Sequence, residues 1–396
     1  MKKIIYMITG VAICLVLGCR LDRLEVDCGE HKTFERKYNI SSNFAAYDIA
    51  ETTDGGYVMC GEVYHTNDLD IFLMKIDKSG EIIFFETERK ETTNEICHSI
   101  VTTPDKGFLV CGSAENKAYF AKYNFEGKRL GDERVELFNC SSCESINKSG
   151  NEYVFAGTAS NPEIKNSYVG TLNLQGQTPT LITHYLPNPR SDTERVQEVI
   201  LSRGAYTVVG YSYNTPGNAA GAAMHFYRLN ENLQIIPNTE KLYHLGTQQD
   251  IAKGVAETED GNYLIVGNLH TENGGRNIFV VKANPNGEIL NQYEYGGSLN
   301  EGGYSITQAH QSSQYMILGE QERSETDRSN DIYLAKIKSD GSIIWEKTFG
   351  DAGINESGLQ VIPTECNGYI VTGYSENIGG ERQVYTIKID ANGNVF

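Results

Sequence analysis

Seven glycines constrain this chain more than any other feature. Gly61, Gly112, Gly157, Gly210, Gly267, Gly319 and Gly373 each close an apolar run, 45 to 57 residues apart, and an aromatic stands four residues before every one. Those aromatics are Tyr57, Phe108, Tyr153, Tyr206, Tyr263, Tyr315 and Tyr369. An offset that never varies over seven units is the mark of a repeat architecture. Further along most units a strand ends in a basic residue, a spacer and a turn residue, as in Lys75-Ile76-Asp77, Lys122-Tyr123-Asn124 and Lys388-Ile389-Asp390; the third unit departs with Thr171-Leu172-Asn173. Three residues on, a glycine closes the turn at Gly80, Gly127, Gly176, Gly287, Gly341 and Gly393, where a positive φ costs least; the fourth unit lacks it. Between these marks apolar and polar residues alternate with period two, as in IFLMKID, and no helical stripe is sustained. The chain reads as all β.

A unit of this length holds four short strands and cannot bury both faces of its own sheet. Neighbouring sheets must therefore stack, and a seven-bladed β-propeller of four-stranded antiparallel blades satisfies every unit equally. The chain ends agree with closure. The last unit stops at Asn394-Val395-Phe396, where its outer strand is due, while residues 32–39 (KTFERKYN) resemble the outer strand IIWEKTFG of residues 343–350. The N-terminal strand is thus expected to complete the last blade and lock the ring, since opening it would expose two apolar faces together.

Ahead of the repeats, Lys2 and Lys3 precede a fifteen-residue apolar run, residues 4–18, shorter than the roughly 20 residues that span a bilayer. It reads as an export signal. The run ends in Val16-Leu17-Gly18-Cys19, which resembles the lipobox of bacterial lipoproteins. That resemblance implies removal of residues 1–18, acylation of Cys19 and a stable membrane anchor, because several chains hold where one is marginal. The expected organisation is a signal peptide (1–18), a lipidated tether (19–31) and a propeller (32–396), placed in the bacterial cell envelope at the outer membrane. Loss of Lys2 and Lys3 moves the formal charge from −18 to −20. With 52 acidic residues against 34 basic ones, Coulomb repulsion works against nucleic acid as a partner.

The repeats resemble the DGGY-type propellers of Gram-negative envelope lipoproteins, through Thr53-Asp54-Gly55-Gly56-Tyr57 and Glu259-Asp260-Gly261-Asn262-Tyr263. The likeness covers residues 32–396 and implies fold rather than function. Asp77-Lys78-Ser79-Gly80 and Lys338-Ser339-Asp340-Gly341 look more distantly like quinoprotein repeats. Such enzymes usually carry a tryptophan in each blade, whereas Trp345 is alone here, which argues against quinone chemistry.

Aligning the inner strands places an acid five residues before a core position in five units: Glu95, Glu194, Asp250, Glu301 and Glu356. Such a ring would gather a cation, or each acid would accept backbone N–H groups at its own blade junction. Features that follow the repeat favour the junction role, because sites of chemistry break repeats. The strand lysines lie toward the opposite turns and are expected to cover apolar edges with their stems. Units three and four depart from the pattern at Pro187–Asp192 and in the loop from Tyr211 to Ala223. Arg190, Asp192, Tyr211 and Tyr213 combine a forked donor, an acceptor and two rigid aromatics suited to glycan or protein contact.

Cys60 and Cys111 share one repeat position and read as small buried hydrophobes. Cys140-Ser141-Ser142-Cys143 has redox spacing but no helix N-terminus to activate a thiol, leaving a local disulfide or two free thiols. The eight histidines show no paired spacing, so neither a metal nor a cofactor is expected. Nucleophile-elbow and phosphate-loop motifs are absent. The reading is a non-catalytic binding or scaffolding propeller with a protein or glycan partner on the face of the loops entering the inner strands. The competing reading is a carbohydrate-active hydrolase or lyase with its acid and base among Glu194, Asp250, Glu301 and Glu356.

Overall fold

The computed structural model describes residues 32–395, apart from 41–42, 66–67, 89–92, 138–139, 160–166, 176–177, 186–192, 214–220, 247–248, 272–274, 298, 311 and 365–366. The proposed signal peptide, Cys19, the tether, Arg190 and Asp192 lie outside the described residues. Seven four-stranded antiparallel sheets contain all the regular structure described. The inner strands are Phe44–Glu51, Glu95–Thr102, Cys140–Ser149, Thr193–Ser202, Asp250–Glu257, Glu301–Gln308 and Asn355–Pro363, one for each of blades 1 to 7. Each packs against the inner strands of both neighbours, the first against the last, so the sheets form a closed ring. The chain is a seven-bladed β-propeller.

Its hydrophobic core is seven separate layers, one between each pair of adjacent blades. The layer between blades 7 and 1, for example, joins Ile370 and Val384 to Tyr57, Met59 and Phe72. The aromatics that precede the repeat glycines fill these layers, with Tyr57, Phe108, Tyr263, Tyr315 and Tyr369 fully buried.

The repeat glycines have a direct cause. Every inner strand carries an extra residue at one shared place, where the ladder slips between Ala46 and Asp48 and at the equivalent positions of the other six blades; blade 3 slips a second time between Cys140 and Ser142. Such a bulge kinks the strand and re-aims a side chain. It also presses a carbonyl of the inner strand against the second strand. A Cβ on Gly61, Gly112, Gly157, Gly210, Gly267 or Gly373 would lie 1.9–2.0 Å from that oxygen, and one on Gly319 would lie 2.3 Å away. Only glycine fits.

The DGGY signature is explained on the face of the hairpin turns. Asp54 accepts from Thr52 and pairs with the buried Lys75 at 2.6 Å. Asp105 does the same with Thr103 and Lys122, and Asp260 with Thr258 and Lys282. Lys336 and Lys388 lie instead over the rings of Tyr369 and Tyr57 in the next blade. Blade 4, which lacks the turn glycine, places Leu233 at φ 58° in its stead.

The N-terminal segment closes the ring. Phe34–Tyr38 pairs antiparallel with the third strand of blade 7 (Arg382–Ile389), Phe34 opposite Lys388 and Tyr38 opposite Val384. Lys37 reaches Asp351 at 2.6 Å and the fully buried Glu356 at 2.9 Å, and Tyr38 donates to the carbonyl of Gly80 in blade 1. The clasp therefore grips both blades at the seam.

Candidate functional site

A cavity of about 480 Å³ occupies the central channel and is lined from all seven blades. Its lining runs from the bulge of the inner strands toward their ends, as in Tyr47 to Glu51 and His98 to Thr102. The cavity therefore fills the half of the channel nearer the hairpin turns, opposite the loops that enter the inner strands. Small residues at this level, among them Ala50, Ser99, Ser145 and Ser305, leave the space.

The extra residue of each bulge forms a ring: Tyr47, His98, Glu144, Gln197, Lys253, Tyr304 and Leu359. Unlike the glycines, these do not repeat. Lys253 Nζ donates to Gln197 Oε1 at 2.7 Å, and His98 Nδ1 lies 3.8 Å from Glu144 Oε2. Tyr47 packs against the His98 ring at 5.9 Å. Burial lowers the Lys253 ammonium pKa and raises the phenols of Tyr47 and Tyr304, whose carboxylate neighbours Glu62 and Glu320 raise them further. The ring thus presents a cation, a carboxylate, an imidazole, an amide and two phenols to one small space, a composition suited to holding a polar group in one orientation.

The residue after each bulge has another task. Asp48 accepts from Ser99 Oγ and from the backbone N–H of Ile100, both at 2.8 Å. Ser99 accepts from Ile146 N–H, Ser145 from Val199 N–H, and Glu198 from Val255 N–H at 2.6 Å. A belt of hydrogen bonds thus sews the inner strands of blades 1 to 5 together, and stops at Gly254, which has no side chain to carry it on. Burial raises both belt carboxyls, Glu198 to about 8, with Val255 N–H opposing the rise and the Asp48 charge adding to it. Glu198 is therefore a neutral acid at pH 7.

The five junction acids are buried and none lines the cavity. Asp250 accepts from the N–H groups of Leu245 and Gly246, and Glu301 from Gly297 N–H at 2.9 Å and the Gln321 amide. Glu356 takes Asp351 N–H, Ser375 Oγ and Lys37. Glu95 accepts from Thr93 Oγ1. These bonds brace the turns where the chain passes from blade to blade. Glu194 differs: it accepts from Ser167 Oγ of blade 3 at 2.9 Å, and its carboxylate, the His225 imidazole and the Glu240 carboxylate lie within 4.8 Å of one another.

Tyr211 and Tyr213 are half-buried at the end of the second strand of blade 4 (Ala205–Tyr213), their rings edge to face at 5.4 Å. Cys60, Cys97, Cys111, Cys140 and Cys143 are buried free thiols, and burial pushes Cys140 up to about 12, which leaves it inert as a nucleophile. The bulge ring and the Glu194, His225, Glu240 cluster were not foreseen from the sequence. A signal for the cluster exists in the repeat itself, because His225 stands where the other six blades carry Phe or Tyr.

No protein-family model matches the chain, and no curated protein matches it in sequence. Solved structures do resemble it. A streptogramin B lyase structure superposes with a TM-score of 0.54 at 16% identity, over 90% of this chain and 98% of that one. Sqt1 from Chaetomium thermophilum gives 0.53 at 10% identity over 88% and 98% of the two chains. Drosophila Plexin A, in its complex with Semaphorin 1b, gives 0.52 at 8% over 90% and 86%. At these identities the likeness establishes the propeller fold alone.

Proposed function

We propose that this chain is a lipid-anchored propeller of the bacterial envelope, held at the outer membrane through Cys19, that binds a glycan or protein partner without chemically altering it. The observation that supports this reading is the ring of six polar side chains, of five kinds, set on the inner-strand bulges. Repetition builds the scaffold, and the positions freed from repetition face the cavity. A polar group of the partner, such as a sugar or a charged side chain, would insert between Lys253 and Glu144.

Most of the carboxylates that a hydrolase would draw on make structural hydrogen bonds. Asp250, Glu301 and Glu356 hold junction N–H groups, and Asp48 and Glu198 belong to the belt. An acid and base facing each other across a cleft, which glycoside cleavage requires, is not formed by these groups among the described residues. The test is a glycan and peptide array probed with the full-length protein. One ligand class should bind saturably, Lys253→Met and Glu144→Gln should each weaken it by about 10-fold, and mass spectrometry should recover it intact. Recovery of cleaved glycan would overturn the binding reading in favour of a hydrolase or lyase.

A further inference from the structure

Blade 4 breaks the repeat twice at one spot. In six blades the residue opposite the repeat glycine on the third strand is aromatic: Phe72, Tyr119, Tyr168, Phe279, Tyr333 and Tyr385. Opposite Gly210 it is His225, which is 3% exposed. The connection to the outer strand is irregular as well. It runs through a lone bridge between Leu229 and Ile235 to an outer strand of three residues, Lys241–Tyr243, and delivers Glu240 to the His225 ring at 3.1 Å. Ser212 adds a third observation. It pairs with Glu194 across the first two strands, as Ser375 pairs with Glu356 in blade 7, where the hydroxyl donates to the carboxylate at 3.3 Å. Ser212 is 1% exposed, yet its Oγ has no partner among the described residues.

We propose that Glu194, His225 and Glu240 bind one divalent transition-metal ion, with Ser212 Oγ facing the same space and Zn²⁺ the best match to the donors. Two carboxylates and an imidazole form a borderline donor set, and the ion offsets the two negative charges it gathers. Among the described residues Glu194 has no Lys or Arg partner. Ser167 Oγ holds one oxygen of Glu194 and lies 3.3 Å from the Tyr227 hydroxyl, the outer hydrogen bonding that orients a ligating carboxylate. Glu240 keeps 23% of its side chain exposed, which gives an ion a way in. Loading would tie the irregular connection of blade 4 to its inner strand.

The experiment is a calorimetric titration of Zn²⁺ into the chelator-treated, full-length protein, paired with melting curves. Wild type should bind one ion per chain and melt higher when loaded. His225→Phe installs the ring that blades 1 and 5 carry at this position, as Phe72 and Phe279, so its fold has direct precedent; it should lose affinity by about 100-fold and gain no melting shift. Glu240→Gln should lose affinity by about 10-fold or more, whereas His310→Ala, at an exposed turn, should bind as wild type. Absence of saturable binding below about 1 mM, or wild-type affinity in His225→Phe, would overturn the site.

Discussion

Glu198 shows what a repeated position can tolerate. The belt needs only an oxygen that accepts the next blade's N–H, and serine supplies it in blades 2 and 3. Glutamate supplies it in blade 4 as a carboxylic acid, held neutral by burial up to about pH 8. In the unfolded chain the same group ionises near pH 4.3. Between those values the folded state binds the extra proton, so stability falls as pH rises, by up to about 1.4 kcal/mol for each pH unit. Glu198→Gln keeps the acceptor and abolishes the titration. Its melting temperature should therefore drop less than that of wild type between pH 5 and pH 8, and parallel melting curves would refute the assignment. None of this was visible in the sequence, where Glu198 is one of 52 acids and nothing marks it as buried. The glycines were legible because a clash with backbone admits one residue type. The bulge ring was not, because a position that varies from blade to blade leaves no period to find.

Strands and their seams carried more information. The four-strand period, the paired turns and the missing outer strand of the last blade all follow from local chemistry that recurs, and the structure pairs Phe34–Tyr38 where that gap was expected. The junction acids were placed at the starts of the inner strands correctly in register, yet their distance from the cavity depends on how the channel narrows, which no single strand encodes. The clasp also makes a sharp energetic prediction. Lys37 is the cation beside Glu356, whose side chain is wholly buried, while Arg36 one residue earlier pairs with the exposed Glu81. Removing one member of a buried pair strands the other, whereas an exposed pair contributes little. Lys37→Met should thus cost about 2 kcal/mol at pH 7, and Arg36→Met under about 0.5 kcal/mol, by denaturant titration. Burial raises the Glu356 carboxyl, so acidification neutralises the stranded group and the Lys37→Met penalty should shrink toward pH 4.

For the molecule as a whole, anchoring is the proposal with the plainest readout. Cys19→Ser should abolish incorporation of a palmitate analogue and move the protein from the membrane to the soluble fraction; retention in the membrane would refute a lipid anchor. The way the clasp enters the ring adds a further consequence. Phe34 sits beside Lys388, at the end of the blade 7 third strand that leads into its hairpin turn. Thirteen residues separate Cys19 from Lys32 if Cys19 is counted, a leash of at most about 45 Å. If Cys19 is lipidated as proposed, a disc moored by that edge would turn its hairpin underside, and the cavity behind it, toward the bilayer. Its crown of blade-linking loops, with Tyr211 and Tyr213, would then look away from the lipid. Visitors to the two sides would arrive from different compartments of space, those for the cavity from the narrow gap above the lipid headgroups and those for the crown from open solution.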